Sequence, residues 1–345
     1  MSSRQAERGG RSPIGDSAAV ELAMKGFAPE LPLAVAYSGG ADSTALLLAC
    51  AERWPNDVLA VHVNHNLQPA AADFETHCRK VCTSIGVPLH VEAVDAKPGL
   101  GESPEAAARN ARYRCFDALA KGGEALSAIK SVAIGHHADD QVETVLLALS
   151  RGAGLPGIAA MPSSWQRDSL VFHRPFLRVG RSDLRAWLAL QTVVGWIEDP
   201  SNDEEHFTRN RIRARLLPAL SEAFPAFRET FARSARHAAE AHSVLEEISA
   251  SDLAKVGVPP VIARLQTLSP GRQALVLRRW LRMLHHTTPE LRQLAELQSQ
   301  ITRCTTRGHR ILIRVGAGFV QREGDVIDWY NSAASAHAEK ARVGR

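Results

Sequence analysis

Four short β-rich runs alternate with helical stretches in the first 140 residues, and this alternation restricts the fold more than any other feature. The runs cover residues 33–37, 58–64, 89–94 and 131–135. Between them lie residues 43–53, 73–85 and 103–120, where apolar side chains such as Ala107, Ala111, Phe116 and Leu119 recur near helical spacing. Parallel strands need a crossover between them, so the pattern predicts an α/β fold, a doubly wound parallel sheet with helices on both faces. The first run, Leu-Ala-Val-Ala-Tyr, is apolar throughout, as a central strand buried on both sides requires. Past residue 180 strand signals thin and helical patterns take over, at 182–190, 208–220, 224–249 and 270–284, with late β-like runs at 310–315 and 326–330. The expected organisation is a flexible N-terminal arm over 1–24, a first domain over 25–218, a smaller, mostly helical domain over 219–330 and a flexible tail over 331–345. The break is set at the Leu-Leu-Pro of residues 216–218.

Composition excludes several classes. Apolar residues make up 45% and charged residues 23% of the 345, as in ordinary soluble domains. No apolar stretch approaches the ~20 residues that cross a bilayer, so no membrane span is expected. Five cysteines at irregular spacing, with no Cys-x-x-Cys pair and no ordered Cys/His set for zinc, point to a reducing, cytoplasmic setting. Residues 1–25 lack an apolar core ahead of a small-residue cleavage site; Arg4, Arg8 and Arg11 hint at a transit peptide, and Glu7 and Asp16 argue against one. Charge is uneven. Residues 206–345 hold 22 Lys and Arg against 12 Asp and Glu, a balance of +10, which leaves −6 for residues 1–205 of the total +4. A polyanionic partner and arginines that merely solvate helix faces explain this equally well.

Two motifs carry chemistry. The first apolar run passes directly into Ser38-Gly39-Gly40-Ala41-Asp42-Ser43 and then an apolar helix. Strand, glycine turn and helix start together make an anion site, with outward N–H groups, close approach at the glycines and the helix dipole. Asp42 is unexpected beside phosphates unless a divalent cation, Mg²⁺, lies between them. No Lys follows the last Gly, so this is not a Walker A loop. The structural alternative is a turn in which Asp42 or Ser43 only caps the helix. The second motif, Gly135-His136-His137-Ala138-Asp139-Asp140-Gln141-Val142-Glu143, sits at the end of the fourth run and opens a helix. Its carboxylates cluster on the first helical turn at a strand's carboxyl end, where ligands bind in doubly wound sheets. Asp140-x-x-Glu143 also fits a capping box, a role compatible with holding Mg²⁺. Zinc on the adjacent histidines fails on geometry. Gly152–Gly157 fits GxGxxG but follows a helix rather than a strand, so a dinucleotide site is rejected.

The SGGxDS string resembles the signature of the N-type ATP pyrophosphatases, the PP-loop family, whose fold is adenine nucleotide alpha hydrolase-like. That resemblance implies cleavage of ATP between the α and β phosphates and transfer of AMP to a carbonyl oxygen. Members that use ammonia need a glutaminase domain, and thiolating members need relay cysteines. Cys78 and Cys82, four apart in a helical pattern, are read instead as buried small residues. An amine is the remaining nucleophile.

Longer strings narrow the resemblance. HVNHNLQPAAADFETHC (62–78), GESPEAAARNARYRCF (101–116), GHHADDQVETVLLALSRGAGLPGIAAM (135–161), RPFL (174–177), WIEDPSN (196–202) and RNRIRARLLP (209–218) resemble, in order, segments of the tRNA(Ile)-lysidine synthetase family over roughly residues 31–240. Residues 264–330 are more loosely similar to its helical C-terminal part. The family resemblance implies a ligase that joins free L-lysine to C2 of the wobble cytidine, position 34 of the CAU anticodon of a minor tRNA(Ile), through an adenylated cytidine. The product reads AUA rather than AUG. By the same resemblance Ser38, Gly39, Gly40, Ala41, Asp42, Ser43, His62 and Asn64 bind ATP, and Asp42, Asp139 and Asp140 hold Mg²⁺. His136 and Glu143 act as acid, base or substrate-orienting groups beside Asp42 and Asp140. Arg112 stabilises charge on the intermediate, and Arg209, Arg211 and Arg213 contact tRNA. A helix-face salt bridge for Arg112 and solvated arginines at 209–213 are the structural alternatives. The cytidine is expected to be splayed into a pocket between the domains. Larger members carry a further C-terminal domain that grips the acceptor end; here residues 220–330 would have to serve. A homodimer is among the open oligomeric states. A PP-loop cytidine thiolase and a non-catalytic, ATP-sensing RNA-binding protein are the rival functions.

Overall fold

The computed structural model describes residues 14–64, 71–94, 104–121, 129–191, 195–198, 204, 206–306 and 308–331. Residues 1–13 of the expected arm, 332–345 of the expected tail and 199–202 of the WIEDPSN string lie outside the described residues. The chain divides into two compact units, Met1–Ala238 and Ala239–Arg345.

The first unit is built on a six-stranded sheet. Strands β1 (Leu33–Ala36), β2 (Val58–Asn64), β3 (Leu89–Ala93) and β4 (Ser131–Ala133) alternate with helices α2 (Ala41–Arg53), α3 (Ala71–Ser84) and α4 (Pro104–Ala120). β5 (Ser164–Arg167) and β6 (Leu170–His173) complete the order β3-β2-β1-β4-β6-β5. All neighbours are parallel except β5 and β6. β1 is central, and its period-two alternation buries it twice. Leu33 and Val35 join a core with Leu46, Leu47 and Trp187, while Ala34 joins a second core with Leu59, Phe116, Val132 and Phe172. The chain winds outward from β1 through β2 to β3, then returns to lay β4 on the other side. The carboxyl ends of β1 and β4 therefore form the topological switch point, where both motif loops begin.

Three features differ from expectation. The arm is not an arm throughout: α1 (Ile14–Lys25) is helical and buries Val20 and Met24 in the β1 core. The sheet is not wholly parallel. Residues 164–173 form an edge hairpin whose turn is made by Asp168 at φ +50°. The first unit also extends past residue 218. A helical run of α8 (Thr208–Arg211), a π-helical turn (Ile212–Leu216) and α9 (Leu217–Ala223) leads to α10 (Phe227–Val256). Ile212, Leu217 and Phe227 pack with Val142, which keeps this stretch in the first unit and moves the division to residue 238, inside α10.

The second unit holds the rest of α10, α11 (Ile262–Gln266), α12 (Pro270–His285), α13 (Leu291–Arg303) and a three-stranded antiparallel sheet of β7 (Leu312–Val315), β8 (Gly318–Glu323) and β9 (Val326–Tyr330). Leu277, Trp280, Leu281, Leu297, Ile301 and Val320 form its core. Among the described residues no helix is long and apolar enough to cross a membrane.

Candidate active site

β1 delivers the chain into the glycine loop, and α7 (Arg181–Ala189) and residues 195–198 surround it. Gly39 adopts φ +85°, and a Cβ there would meet the Cys78 sulfur at 3.1 Å, so the position demands glycine twice over. Gly40 is the N-cap of α2, and no side chain caps the first turn. The helix-start amides remain available to a ligand, and Asp42 does not cap. Two hydroxyls brace the loop from within. Ser43 Oγ donates to the Gly40 carbonyl at 3.1 Å, accepts from the Ser38 amide at 3.2 Å and lies 3.0 Å from Ser38 Oγ. Ile197 N–H bonds the Gly39 carbonyl at 3.0 Å. His62 is buried at the end of β2 and bonds through Nδ1 to the Tyr37 carbonyl at 3.0 Å. It supports the loop from beneath, where a nucleotide contact was expected. Asn64 Nδ2 bonds Glu75 Oε2 at 3.3 Å.

The second motif faces the first. Gly135 lies so close to the loop that a Cβ on it would sit 3.1 Å from the Asp42 carbonyl oxygen and 3.3 Å from Ser43 Cα. His137 then caps α5 (Ala138–Ser150). Its Nδ1 accepts from the Asp140 amide at 3.4 Å, and Asp140 Oδ2 accepts from the His137 amide at 3.0 Å. The capping box is thus His137/Asp140, not Asp140/Glu143. With Nδ1 accepting, Nε2 is the protonated nitrogen and points to Asp42 Oδ2 at 3.5 Å. Burial opposes charging His137, but the Asp42 contact and the charges of Asp140, Asp42 and Asp139 raise its pKa. Asp42 is its counterpart. Burial pushes its carboxyl up, and the His137 bond with the charges of His137, Arg181 and Arg185 more than reverses this, leaving the pKa lowered.

The three acidic residues of α5 have separate fates. Asp139 is 5% exposed at its side chain. Oδ2 accepts from the Arg181 amide at 2.9 Å, and Oδ1 accepts from Arg228 Nε and Nη2 at 2.9 and 2.7 Å. Both oxygens are committed to docking α7 and α10, so the expected Mg²⁺ role for Asp139 does not fit. Glu143, 1% exposed, receives Arg213 Nε at Oε1 and Nη2 at Oε2, the latter at 3.1 Å. Asp140 Oδ1 receives the same Nη2 at 3.0 Å. Burial pushes the Glu143 carboxyl up, with Arg213 opposing. Arg213, expected to reach tRNA, is therefore a clamp on the carboxylates. It is carried by the π-helical turn, an irregularity that often marks functional sites. Arg211 donates to the His206 carbonyl and Thr208 Oγ1, and Arg209 lies beside it on α8.

His136, expected as an acid, base or substrate-orienting group, is anchored by a residue at the end of the β5–β6 hairpin. Arg174 Nε donates to its Nδ1 at 3.0 Å. Burial, reinforced by Arg174, Arg112 and His137 against Asp140, drives its pKa down to about 4. With Nδ1 accepting from Arg174 it is a neutral imidazole, which favours the substrate-orienting alternative. Arg112 is half-buried, carries no hydrogen bond among the described residues, and has its pKa lowered by burial. Arg112 and Arg174 make this side of the centre cationic. Arg174 was missed by sequence reasoning, although it opens the RPFL string; nothing local signals its target.

A cavity of about 400 Å³ adjoins the carboxylates, lined by Asp139, Glu143, Arg181, Arg185, Arg213 and Arg228 among others. As for metal, Asp42 Oδ1 is buried with no hydrogen-bond partner among the described residues. That orphaned oxygen fits a hard cation such as Mg²⁺. Asp140, more exposed than Asp139, accepts one bond at each oxygen, from the His137 amide and Arg213 Nη2, and keeps a lone pair on each for the same ion. Cys78 and Cys82 are buried, and burial pushes their thiols up to about 12 and about 11. Such thiols are unreactive. Elsewhere His90, Glu92 and Cys115 bring ligand atoms within 4.8 Å of one another, a set not foreseen from sequence. Burial holds the Cys115 thiol near 12 and keeps it protonated.

A PP-loop domain model matches residues 18–220, and a TilS substrate binding domain model matches residues 261–325. A tRNA(Ile)-lysidine synthase of Polaromonas naphthalenivorans is 57% identical over 306 residues, covering 89% of this chain and 92% of the relative. One of Methylococcus capsulatus is 39% identical, covering 86% of this chain and 68% of the relative. Among solved structures, the U34-tRNA thiolase NcsA of Methanococcus maripaludis superposes with a TM-score of 0.53 at 15% identity, over 65% of this chain and 78% of its own. This last likeness concerns the fold alone.

Proposed function

The chain belongs to the tRNA(Ile)-lysidine synthase family, and from that premise we propose how its switch-point centre works. It is a ligase that binds ATP and forms lysidine on tRNA(Ile). The glycine loop takes the β- and γ-phosphates of ATP on its helix-start amides. The wobble cytidine O2 attacks the α-phosphorus, pyrophosphate leaves into the loop, and an adenylated cytidine results. Arg112 and His136 face the negative charge that develops there. Mg²⁺ held by Asp42 and Asp140 would neutralise the departing pyrophosphate. The ε-amine of free L-lysine then attacks C2, and AMP leaves.

The arginine-lined cavity suits lysine. Its carboxylate finds Arg181 and Arg185, and its side-chain ammonium is drawn to Glu143. The raised pKa of Glu143 suits it to accept the proton that the ammonium must lose. Arg209 and Arg211 are assigned to tRNA phosphates, with the basic residues beyond 206 adding affinity. A cytoplasmic location and the use of free lysine are parts of this reading. The buried, unreactive Cys78 and Cys82 speak against sulfur transfer.

The observation that carries the reading is the orphaned Asp42 Oδ1 beside uncapped helix-start amides. In Asp42→Asn, tRNA-dependent release of pyrophosphate from ATP is expected to fall by about 10²–10³-fold, with the melting temperature held within a few degrees. Full pyrophosphate release in the folded variant would contradict the assignment.

A further inference from the structure

The edge hairpin β5–β6 explains a residue that the reaction scheme leaves unexplained. β6 runs parallel to β4 with Ala133 opposite His173, and Ile134 N–H bonds the His173 carbonyl at 2.9 Å. This register sets Arg174, the next residue, beside His136 at the mouth of β4. Arg174 is 9% exposed and tied on three sides. Its guanidinium lies 4.0 Å from the centroid of the Trp165 ring, contributed by β5. Nη1 donates to the Pro162 carbonyl at 2.8 Å, and Nε donates to His136 Nδ1 at 3.0 Å. Among the described residues Arg174 has no carboxylate partner.

An arginine cannot accept a proton, so a bond from its Nε requires a lone pair on Nδ1. His136 is then a neutral imidazole with its hydrogen on Nε2, and that N–H has no partner among the described residues. We propose that Arg174 is a positioning residue: it fixes the tautomer and orientation of His136 so that the Nε2–H donates to the negative charge formed when the nucleotide reacts. The proposal rests on the ligase reading for its catalytic consequence, not for the tautomer. It gives the hairpin a purpose, since Trp165 and the β4–β6 register hold the guanidinium still. Lysine could supply one donor but neither the planar stack nor the second bond.

A double-mutant cycle in the full chain tests it. Arg174→Gln should lower kcat for lysidine formation about 10–100-fold, as lost outer-shell partners do, with KM for ATP unchanged within about twofold. A glutamine at 136 can present its amide N–H where Nε2–H stood, and an asparagine cannot. His136→Gln should therefore retain more activity than His136→Asn. In the His136→Gln background, Arg174→Gln should cost less than about threefold. Equal losses in both backgrounds, or better activity in His136→Asn, would overturn the proposal. ¹⁵N spectra of histidine-labelled wild-type chain, with His136→Gln for assignment, read the tautomer without any activity and are indifferent to variants that fold poorly. A hydrogen on Nε2 is expected; a hydrogen on Nδ1 overturns the proposal. If wild type forms no lysidine while the Nε2–H tautomer is present, the ligase reading fails and the positioning survives.

Discussion

Replacing Arg213 separates two roles that its sequence context left equivalent. A solvated arginine on the RNRIRARLLP helix contacts tRNA phosphates, whereas the structure places Arg213 between Glu143 and Asp140. Glu143 is 1% exposed and Arg213 27%, so the pair is only partly screened. Removing one member of a buried pair typically costs about 3–5 kcal/mol, and the exposure of Arg213 argues for the lower end, about 3 kcal/mol. For the first unit, Met1–Ala238, that is a melting shift of roughly 6–12 °C. The loss should depend on pH. Burial already raises the Glu143 pKa, and without Arg213 it rises further. A carboxyl whose folded-state pKa lies above its unfolded value makes stability fall as pH climbs between the two. Arg213→Gln should therefore be closest to wild type near pH 5 and fall behind toward neutrality, and adding Glu143→Gln should recover part of the loss. Calorimetry across pH reads this. Filter binding to tRNA reads the other role: a lost phosphate contact reduces the salt slope by about one, whereas a carboxylate clamp leaves the slope unchanged. Wild-type melting together with a reduced slope would refute the clamp.

Gly135→Ala should push its new Cβ against the Asp42 and Ser43 backbone, destabilising the chain by about 1–3 kcal/mol and raising KM for ATP more than KM for lysine; unchanged ATP kinetics would contradict the close packing of the two loops. Acid should act in two stages. His136, depressed from 6.5 to about 4, stays neutral in the fold while the unfolded chain takes up its proton, so stability declines as pH falls between those values. Asp139, lowered by Arg228 and the Arg181 amide against its burial, adds stability that is lost as pH drops below the ordinary carboxylate value of about 4. His62, His77, His173 and His285 are lowered by burial in the same way, and Asp42 and Asp252 are lowered carboxylates. His136→Gln should therefore weaken the first stage and Asp139→Asn the second without removing either; urea titrations at pH 7, 5 and 3.5 that superpose for all three proteins would contradict these assignments.

What the sequence disclosed depended on how local the cause was. The β1–loop–α2 unit was legible because an apolar strand, two glycines and an apolar helix are adjacent in the chain, and Gly39 and Asp42 behave as their types imply. The division of labour among Asp139, Asp140 and Glu143 was not legible. Their spacing is that of any acidic first turn, and only the arrival of α7, α10 and the π-helical turn decides which carboxylate is closed off. Arg213 and Arg174 were obscured for the same reason, since their partners lie 70 and 38 residues away. The edge hairpin escaped because four-residue strands with alternating exposure resemble loop. The helix α1 escaped because an arginine-rich, glycine-rich start outweighed the Val20/Met24 spacing.

The central claim is that residues 38–43 hold the pyrophosphate end of ATP while AMP is loaded onto an RNA base that lysine then captures. Incubating the chain with ATP, Mg²⁺, labelled L-lysine and a tRNA(Ile) transcript bearing CAU tests it most directly. Label should enter the RNA at the wobble cytidine, with one AMP and one pyrophosphate formed per lysine. Release of ADP and phosphate, or RNA that stays unlabelled while ATP is cleaved to AMP, would contradict it.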